Sequence, residues 1–257
     1  MKPIGNIMFS LLCLFFIPGF CSAEGLCTRI LREMDNNAKY EFDLTAKVSL
    51  LEERATMGIR ESKLLYHQRA SDDAFLLVYL SPERDKGNGY LRVEDNIWMY
   101  RINTRTFQHM SRSDRIGDSL LSAENFETRK LTELYSPVTD DNGNEIYEEE
   151  VLGKILVYKF EVRAKVRDVS YHKRIYWVEK ENFLLLKQSS YSLSGTLMQT
   201  LYFTKYTEIG NKYIPQKYIV IDEFEKGNRN IITVSGISLE NVDDSVFTKA
   251  YFENLSK

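Results

Sequence analysis

Cysteine is almost missing from this chain. Cys13, Cys21 and Cys27 are the only three in 257 residues. The first two lie in a segment with the marks of a leader, so a processed chain keeps Cys27 alone and forms no internal disulfide. Its fold must then be held by burial. Histidine is equally sparse. His67, His109 and His172 stand at no metal-ligand spacing from one another or from Cys27, so no metal and no cofactor is expected. Neither sign of charge is in excess: 34 basic against 37 acidic residues give −3, and losing Lys2 gives −4. That near-balance argues against nucleic acid or an anionic membrane surface as the main partner. Beyond residues 7–16 there is no long apolar run, hence no expected membrane span after the leader. Phosphate-loop and dinucleotide fingerprints are absent, as is the Gly-x-Ser-x-Gly elbow.

What is present begins with export. Residues 1–20 carry one basic residue, Lys2, then an apolar stretch from Ile7 to Phe16, then Pro18-Gly19. Cys21-Ser22-Ala23 supplies small residues for cleavage after Ala23. The expectation is a secretory signal peptide over 1–23 and one domain over 24–257. The apolar core is short for an uncleaved anchor. Lipidation of Cys21 stays open, although bulky Phe20 precedes it where such signals carry a small residue.

Residues 40–50 alternate without error: Tyr40, Phe42, Leu44, Ala46, Val48 and Leu50 on one side, polar residues on the other. This is a long strand with one apolar face. A helix is expected over 24–38, from Leu26, Ile30, Leu31 and Met34. Strands follow near 40–51, 60–69, 74–80, 89–95, 97–102 and 105–110. From 111 to 135 the pattern turns helical or irregular, and 136–150 reads as a polar, acidic loop. Leu156, Tyr158, Phe160 and Val162 then open a second series, with strands near 171–179, 183–191, 197–207, 213–223 and 229–238. A short tail with Phe247, Tyr251 and Phe252 has room for a helical turn. With no internal repeat, the expectation is a mainly β (α+β) domain: a single curved antiparallel sheet of eleven or so strands. Its apolar face must be hidden, and the segments 24–38 and 111–135 are the available lids.

The order of elements carries a resemblance. The long strand, Leu80-Ser81-Pro82, Gly87-Asn88-Gly89-Tyr90-Leu91 and Ile97-Trp98-Met99-Tyr100 resemble the bacterial outer-membrane lipoprotein-sorting proteins, relatives of the LolA/LolB periplasmic carriers. Tyr176-Trp177, Phe183-Leu184-Leu185-Leu186-Lys187, Ser194-Gly195 and Tyr213-Ile214-Pro215 are similar to the same family, while Arg115 to Phe126 departs from its wording. The resemblance implies a half-open β-barrel with helical lids and a cavity for acyl chains. It implies a periplasmic carrier moving lipid or lipoprotein towards the outer membrane, with membrane-bound donor and acceptor proteins as partners and no covalent chemistry. Candidate cavity residues are Phe42, Leu44, Val48, Trp98, Tyr100, Leu156, Tyr158, Phe160 and Trp177.

Three other signals compete. Gly117-Asp118-Ser119-Leu120 spells the motif of the GDSL esterases, and the alternative function is a periplasmic lipid-ester hydrolase with Ser119 as nucleophile. Such chemistry needs a base and oxyanion donors, whereas the bland reading has Asp118 or Ser119 starting a helix. Asp140 to Glu145 has the composition of a calcium loop with its glycine misplaced, so a plain turn is expected. Strands of ten or eleven residues also suit an outer-membrane barrel, but two helical segments interrupt the series and the chain does not end on an aromatic strand.

Overall fold

The structure is a computed structural model and describes residues 24–126 and 129–255. The expected signal peptide and Cys21 lie outside the described residues. Fourteen strands form one antiparallel sheet. The first series is β1 (Leu44–Arg54), β2 (Gly58–Gln68), β3 (Phe75–Ser81), β4 (Gly89–Val93), β5 (Asn96–Arg101) and β6 (Thr106–His109). The second is β7 (Tyr135–Pro137), β8 (Tyr147–Leu152), β9 (Ile155–Ala164), β10 (Lys173–Glu179), β11 (Leu185–Tyr191), β12 (Leu197–Ile209), β13 (Lys212–Asp222) and β14 (Arg229–Ser238). Their order across the sheet is β6-β5-β4-β3-β2-β1-β14-β13-β12-β11-β10-β9-β7, with β8 also on β9. The two series are therefore joined where β1 meets β14, and the sheet stays unclosed as a half-barrel. Among the described residues three short α-helices accompany it: α1 (Leu26–Ala38), α2 (Leu131–Leu134) and α3 (Lys249–Leu255).

The sheet exceeds the expected eleven or so strands partly because β7 and β8 lie in the segment read as a polar loop. Their acidic residues find cations across the ladder: Lys159 lies 2.9 Å from Glu148 and Lys180 2.7 Å from Glu149. The turn between them is the plain one expected, with the Asp140 carboxylate accepting from the N–H groups of Asn142 and Asn144. β1 starts at Leu44 rather than Tyr40. Asp43 is occupied before the strand begins, its carboxylate accepting from the N–H groups of Ala70 and Val242 at 2.9 Å each. The segment 111–135 is expected as a lid helix or irregular; its described residues are mostly irregular, with a strap over 110–126 ending in one 3-10 turn (Ala123–Phe126), and α2 further on.

Helix α1 covers the concave face over β9 and β10. Cys27, Ile30 and Leu31 are buried against Phe160, Val162, Tyr176 and Val178. Its N-terminus is closed by a distant residue. The Glu145 carboxylate accepts from Cys27 N–H at 2.6 Å, Thr28 N–H at 3.1 Å and the Thr28 hydroxyl at 2.5 Å. Gly25 leaves room for that carboxylate, which a Cβ there would displace. Asp35 near the other end of α1 caps α2, accepting from Leu131 and Thr132. On the convex face, α3 and the preceding 3-10 turn cover β3–β5 through Phe247 and Phe252, which pack with Leu76, Leu91 and Tyr100.

Burial and the neighbouring Glu145 push the Cys27 thiol up to about 12, so it is protonated at neutral pH while α1 is docked. Glu145→Ala removes the cap, worth about 1–2 kcal/mol for a charged acceptor of helix-end N–H groups. In the chain from residue 24, the variant is expected to label at Cys27 about tenfold faster than wild type with a disulfide thiol reagent at pH 8. Equal labelling rates would show that Glu145 does not hold the helix.

Candidate binding cavity

The concave face can be followed strand by strand through the register. Phe160, Tyr176, Gln188, Leu201, Val220, Asn230, Glu52 and Arg60 form one continuous cross-strand row. Helix α1 fills one part of that face. Over β1, β2, β3, β13 and β14 the covering element is the strap. Between strap and sheet lies a cavity of about 300 Å³, at the lower end of the roughly 300–1,000 Å³ of small-molecule sites. It is partly open to solvent.

The sheet supplies Leu44, Val48 and Leu50 from β1, Leu64 and Tyr66 from β2, and Tyr218, Ile232 and Val234 from β13 and β14. The strap supplies Ile116, Leu121 and Phe126. Among the described residues, none that lines it bears a formal charge; the polar ones are tyrosines, Gln68, Ser119 and Asn125. Burial raises the phenols of Tyr40 and Tyr218 to about 12, and that of Tyr66 in the same direction, so these stay neutral. Aromatic contacts stiffen the wall: Phe126 lies 5.3 Å from Phe75, and Phe203 stacks 5.6 Å from Tyr218.

The strap is held down by polar side chains from the sheet. Tyr90 Oη accepts from Gly117 N–H at 2.6 Å, and Gly117 takes φ +59°, which glycine adopts without steric cost. Arg54 donates to the carbonyl of Asp118, and Arg60 lies 2.6 Å from the Asp118 carboxylate. Gln199 donates to the Leu120 carbonyl at 3.0 Å, Arg92 to that of Phe126, and Arg174 pairs with Glu124 at 3.1 Å. Apolar residues of the strap close the cavity, while polar side chains from the sheet hold the strap at its midpoint around Asp118 and at its far end around Glu124 and Phe126.

Ser119 lies inside this clamp. It is buried, and its Oγ accepts from Leu121 N–H at 3.2 Å and sits 3.4 Å from the Leu121 carbonyl. Among the described residues, no histidine or carboxylate is hydrogen-bonded to it. His67 contacts Thr45, and His109 contacts Asn96. Gly117-Asp118-Ser119-Leu120 acts here as a turn that docks the strap, and it starts no helix.

Of the residues singled out by sequence, Leu44 and Val48 line the cavity together. Phe42 stacks on cavity-lining Tyr40 at 5.6 Å and packs with Leu44 and Ala46. Tyr158 and Phe160 share the concave face but belong to the α1 cluster. Leu156 is exposed. Trp98 and Tyr100 lie on the convex side, Tyr100 5.2 Å from Phe252 and Trp98 under the Lys249 ammonium. Trp177 is also convex, with Lys187 Nζ 4.1 Å from its ring and its indole N–H donating to Glu150. Sequence reading missed Leu64, Tyr218 and Ile232. Each falls in an expected strand with the right alternation; Leu64 lies opposite Val48 across β1–β2, whereas Ile232 and Tyr218 join the same wall only through the pairing of β1 with β14.

The fold has solved counterparts. A LolA superfamily protein from Nitrosomonas europaea superposes with a TM-score of 0.69 at 20% identity, covering 87% of this chain and 97% of that one. A domain from Vibrio parahaemolyticus described as an outer membrane lipoprotein-sorting protein gives 0.75 at 16%, covering 88% and 97%. A DUF1329 family protein from Desulfovibrio piger gives 0.75 at 18%, with the same coverage. The model of a family described as "-like: Uncharacterized protein" matches residues 71–254. No curated protein matches the chain. No helix among the described residues is long and apolar enough to cross a membrane, which says nothing of membrane-spanning strands.

Beneath the strap, Glu52 is 3% exposed, with Arg54 and Arg60 at 3.6 and 3.8 Å. Burial raises its carboxyl pKa, outweighing both arginines. A carboxyl raised in the folded state stabilises below its unfolded value, and that contribution is lost as pH rises through the folded value. Glu52→Gln is therefore expected to be more stable than wild type at pH 7, the advantage shrinking towards pH 4. Denaturant midpoints across that range check it, and an advantage that grows in acid would contradict the assignment.

Proposed function

We propose that this chain, which belongs to the uncharacterized-protein family matched over residues 71–254 and has the LolA fold, is a periplasmic carrier of acyl chains. The observation that carries the reading is the cavity between strap and half-barrel, whose described lining residues are mostly apolar and bear no formal charge. Such a lining suits hydrocarbon and offers an ionised headgroup no counter-charge, so the acyl part enters and the headgroup stays at the opening. Leu44, Val48, Leu64 and Ile232 are the contacts assigned to the chain. About ten buried methylenes give roughly 8 kcal/mol before ordering costs, from which lost freedom of motion subtracts several. The resulting moderate affinity suits a carrier that must also release its load.

In this reading residues 1–23 are the export signal and residues 24–257 act as one lipid-binding domain. The cargo is lipid or lipoprotein, passed between membrane-bound donor and acceptor proteins towards the outer membrane. Loading requires the strap to lift or its gaps to admit a chain, and no bond is made or broken.

Val48→Phe combined with Val234→Phe fills the cavity from two neighbouring strands of its sheet wall. It is expected to weaken a fluorescent fatty-acid probe at least tenfold, while Trp177→Phe on the convex face leaves binding within twofold. Wild type that fails to bind the probe, or a filled variant that binds as well as wild type, would sink the carrier. Ser119→Ala is expected to leave probe binding within twofold, with no acyl-ester turnover by either protein; turnover by wild type that disappears in the variant would establish the hydrolase instead.

A further inference from the structure

Two features of the surface are unused by the cavity, and they adjoin. The first is a rim. The β1–β2, β13–β14 and β11–β12 turns all project from the same end of the sheet, and neighbours among them touch. Ala55 N–H donates to Asn228 Oδ1 at 3.1 Å, and Glu223 N–H to the Met198 carbonyl at 2.9 Å. Each turn carries large apolar side chains in water: Met57 at 77% and Ile59 at 73% exposed, Phe224 at 66%, Leu193 at 80%. Three adjacent turns with the same anomaly at the same end are not the scattered apolar residues of an ordinary surface.

The second is the convex face running back from that rim. Leu51, Ile231, Ile219 and Tyr202 are cross-strand neighbours, half-buried, and members of none of the four apolar clusters. The next row is Lys63, Ser49, Thr233, Lys217 and Lys205 on five successive strands. It holds three lysines and no carboxylate, and Lys47 stands in the row beyond. All four lysines are exposed. Of the nearby acids among the described residues, Glu53 pairs with Arg229 at 2.7 Å, Glu223 with Lys226 at 2.9 Å and Glu225 with Asn228 at 3.0 Å; Glu61, opposite Leu51, is the one carboxylate that reaches the lysine row, accepting from the Ser49 hydroxyl at 3.2 Å. A chain of net charge −3 thus sets four lysines against the single carboxylate of Glu61 on this part of the face.

We propose that this rim and the lysine face beside it dock on an anionic lipid bilayer. Apolar tips on separate turns, divided by Ser192, Ser194 and Glu225, do not make the continuous desolvated centre of a protein interface of about 800 Å² per partner. They do suit shallow insertion at the boundary of headgroups and acyl chains. Lys63 stands five residues from Gly58 on β2, about 17 Å along the strand. With the body tilted onto its convex side, flexible lysine stems bring their ammonium groups to the phosphates while the tips reach the acyl boundary. The near-neutral composition that argued against an anionic surface is a sum over faces, and it hides this segregation.

The test is flotation of the chain from residue 24 with phosphatidylcholine vesicles, with and without phosphatidylglycerol. Wild type is expected to float with the phosphatidylglycerol vesicles at low salt and to be released at high salt. Replacing Lys63, Lys205 and Lys217 by Gln should weaken binding about fivefold per lysine, roughly hundredfold for all three. Replacing Met57, Leu193 and Phe224 by Ser should weaken it at least about tenfold. Both triple variants change exposed positions, and unchanged melting would confirm that they fold. The cavity-filled Val48→Phe, Val234→Phe variant should float as wild type does, which separates this docking from acyl binding in the cavity. Equal flotation with neutral vesicles, indifference to the lysine changes, or no flotation with phosphatidylglycerol vesicles would overturn the proposal, the last leaving an acidic protein as partner of the lysine face.

Discussion

A curved sheet that does not close has a concave face too apolar for water and too broad for any one element of this chain to cover. Every other feature answers to that constraint. Helix α1 covers β9 and β10 with Cys27, Ile30 and Leu31. The strap covers the other part but lies across it as irregular backbone, whose polar groups need partners of their own. Those partners are arginines, a glutamine and a tyrosine reaching up from the sheet. The result is a cover pinned through its polar groups while its apolar side chains face the sheet, and the cavity is the space those side chains leave unfilled.

The same fastening explains the polar residues buried on an otherwise apolar face. Glu52, Asn230 and Arg60 occupy the row in which Val220 and Leu201 are hydrocarbon. They stand where the strap crosses, and Arg54 and Arg60 tie it down through Asp118. Polar burial here secures one covering segment, and it carries a standing cost in the raised carboxyl of Glu52.

Much of the architecture was legible in periodicity. The alternation through Leu44, Ala46, Val48 and Leu50 marked a strand and its inner face, and the spacing of Ile30 and Leu31 marked α1. The cavity was less legible, because alternation gives two faces without saying what covers either. Trp98, Tyr100 and Trp177 alternate as cleanly as Val48, yet they point outward, towards α3 and the lysines. The long-range ladder decides which side is inner, and that ladder joins residues nearly two hundred positions apart. β8 stayed hidden for a different reason: Glu148, Glu149 and Glu150 read as solvated loop until Lys159 and Lys180 are placed opposite them.

The pairing of β1 with β14 sets the order in which this molecule can be assembled. Lys47 lies opposite Ser235 across the central ladder, so the first long strand to emerge from a ribosome or a translocation pore waits for nearly the last. Until then β1 has β2 on one side and an open edge on the other, with Leu44, Val48 and Leu50 uncovered. Helix α1 waits as well, because its cap comes from Glu145. Topology of this kind folds slowly, since distant loops must close before contacts repay them, and an open apolar edge invites pairing with another chain. Its most vulnerable moment is the interval between synthesis of the second strand and arrival of the fourteenth, when a passing chaperone has more to hold than at any later time.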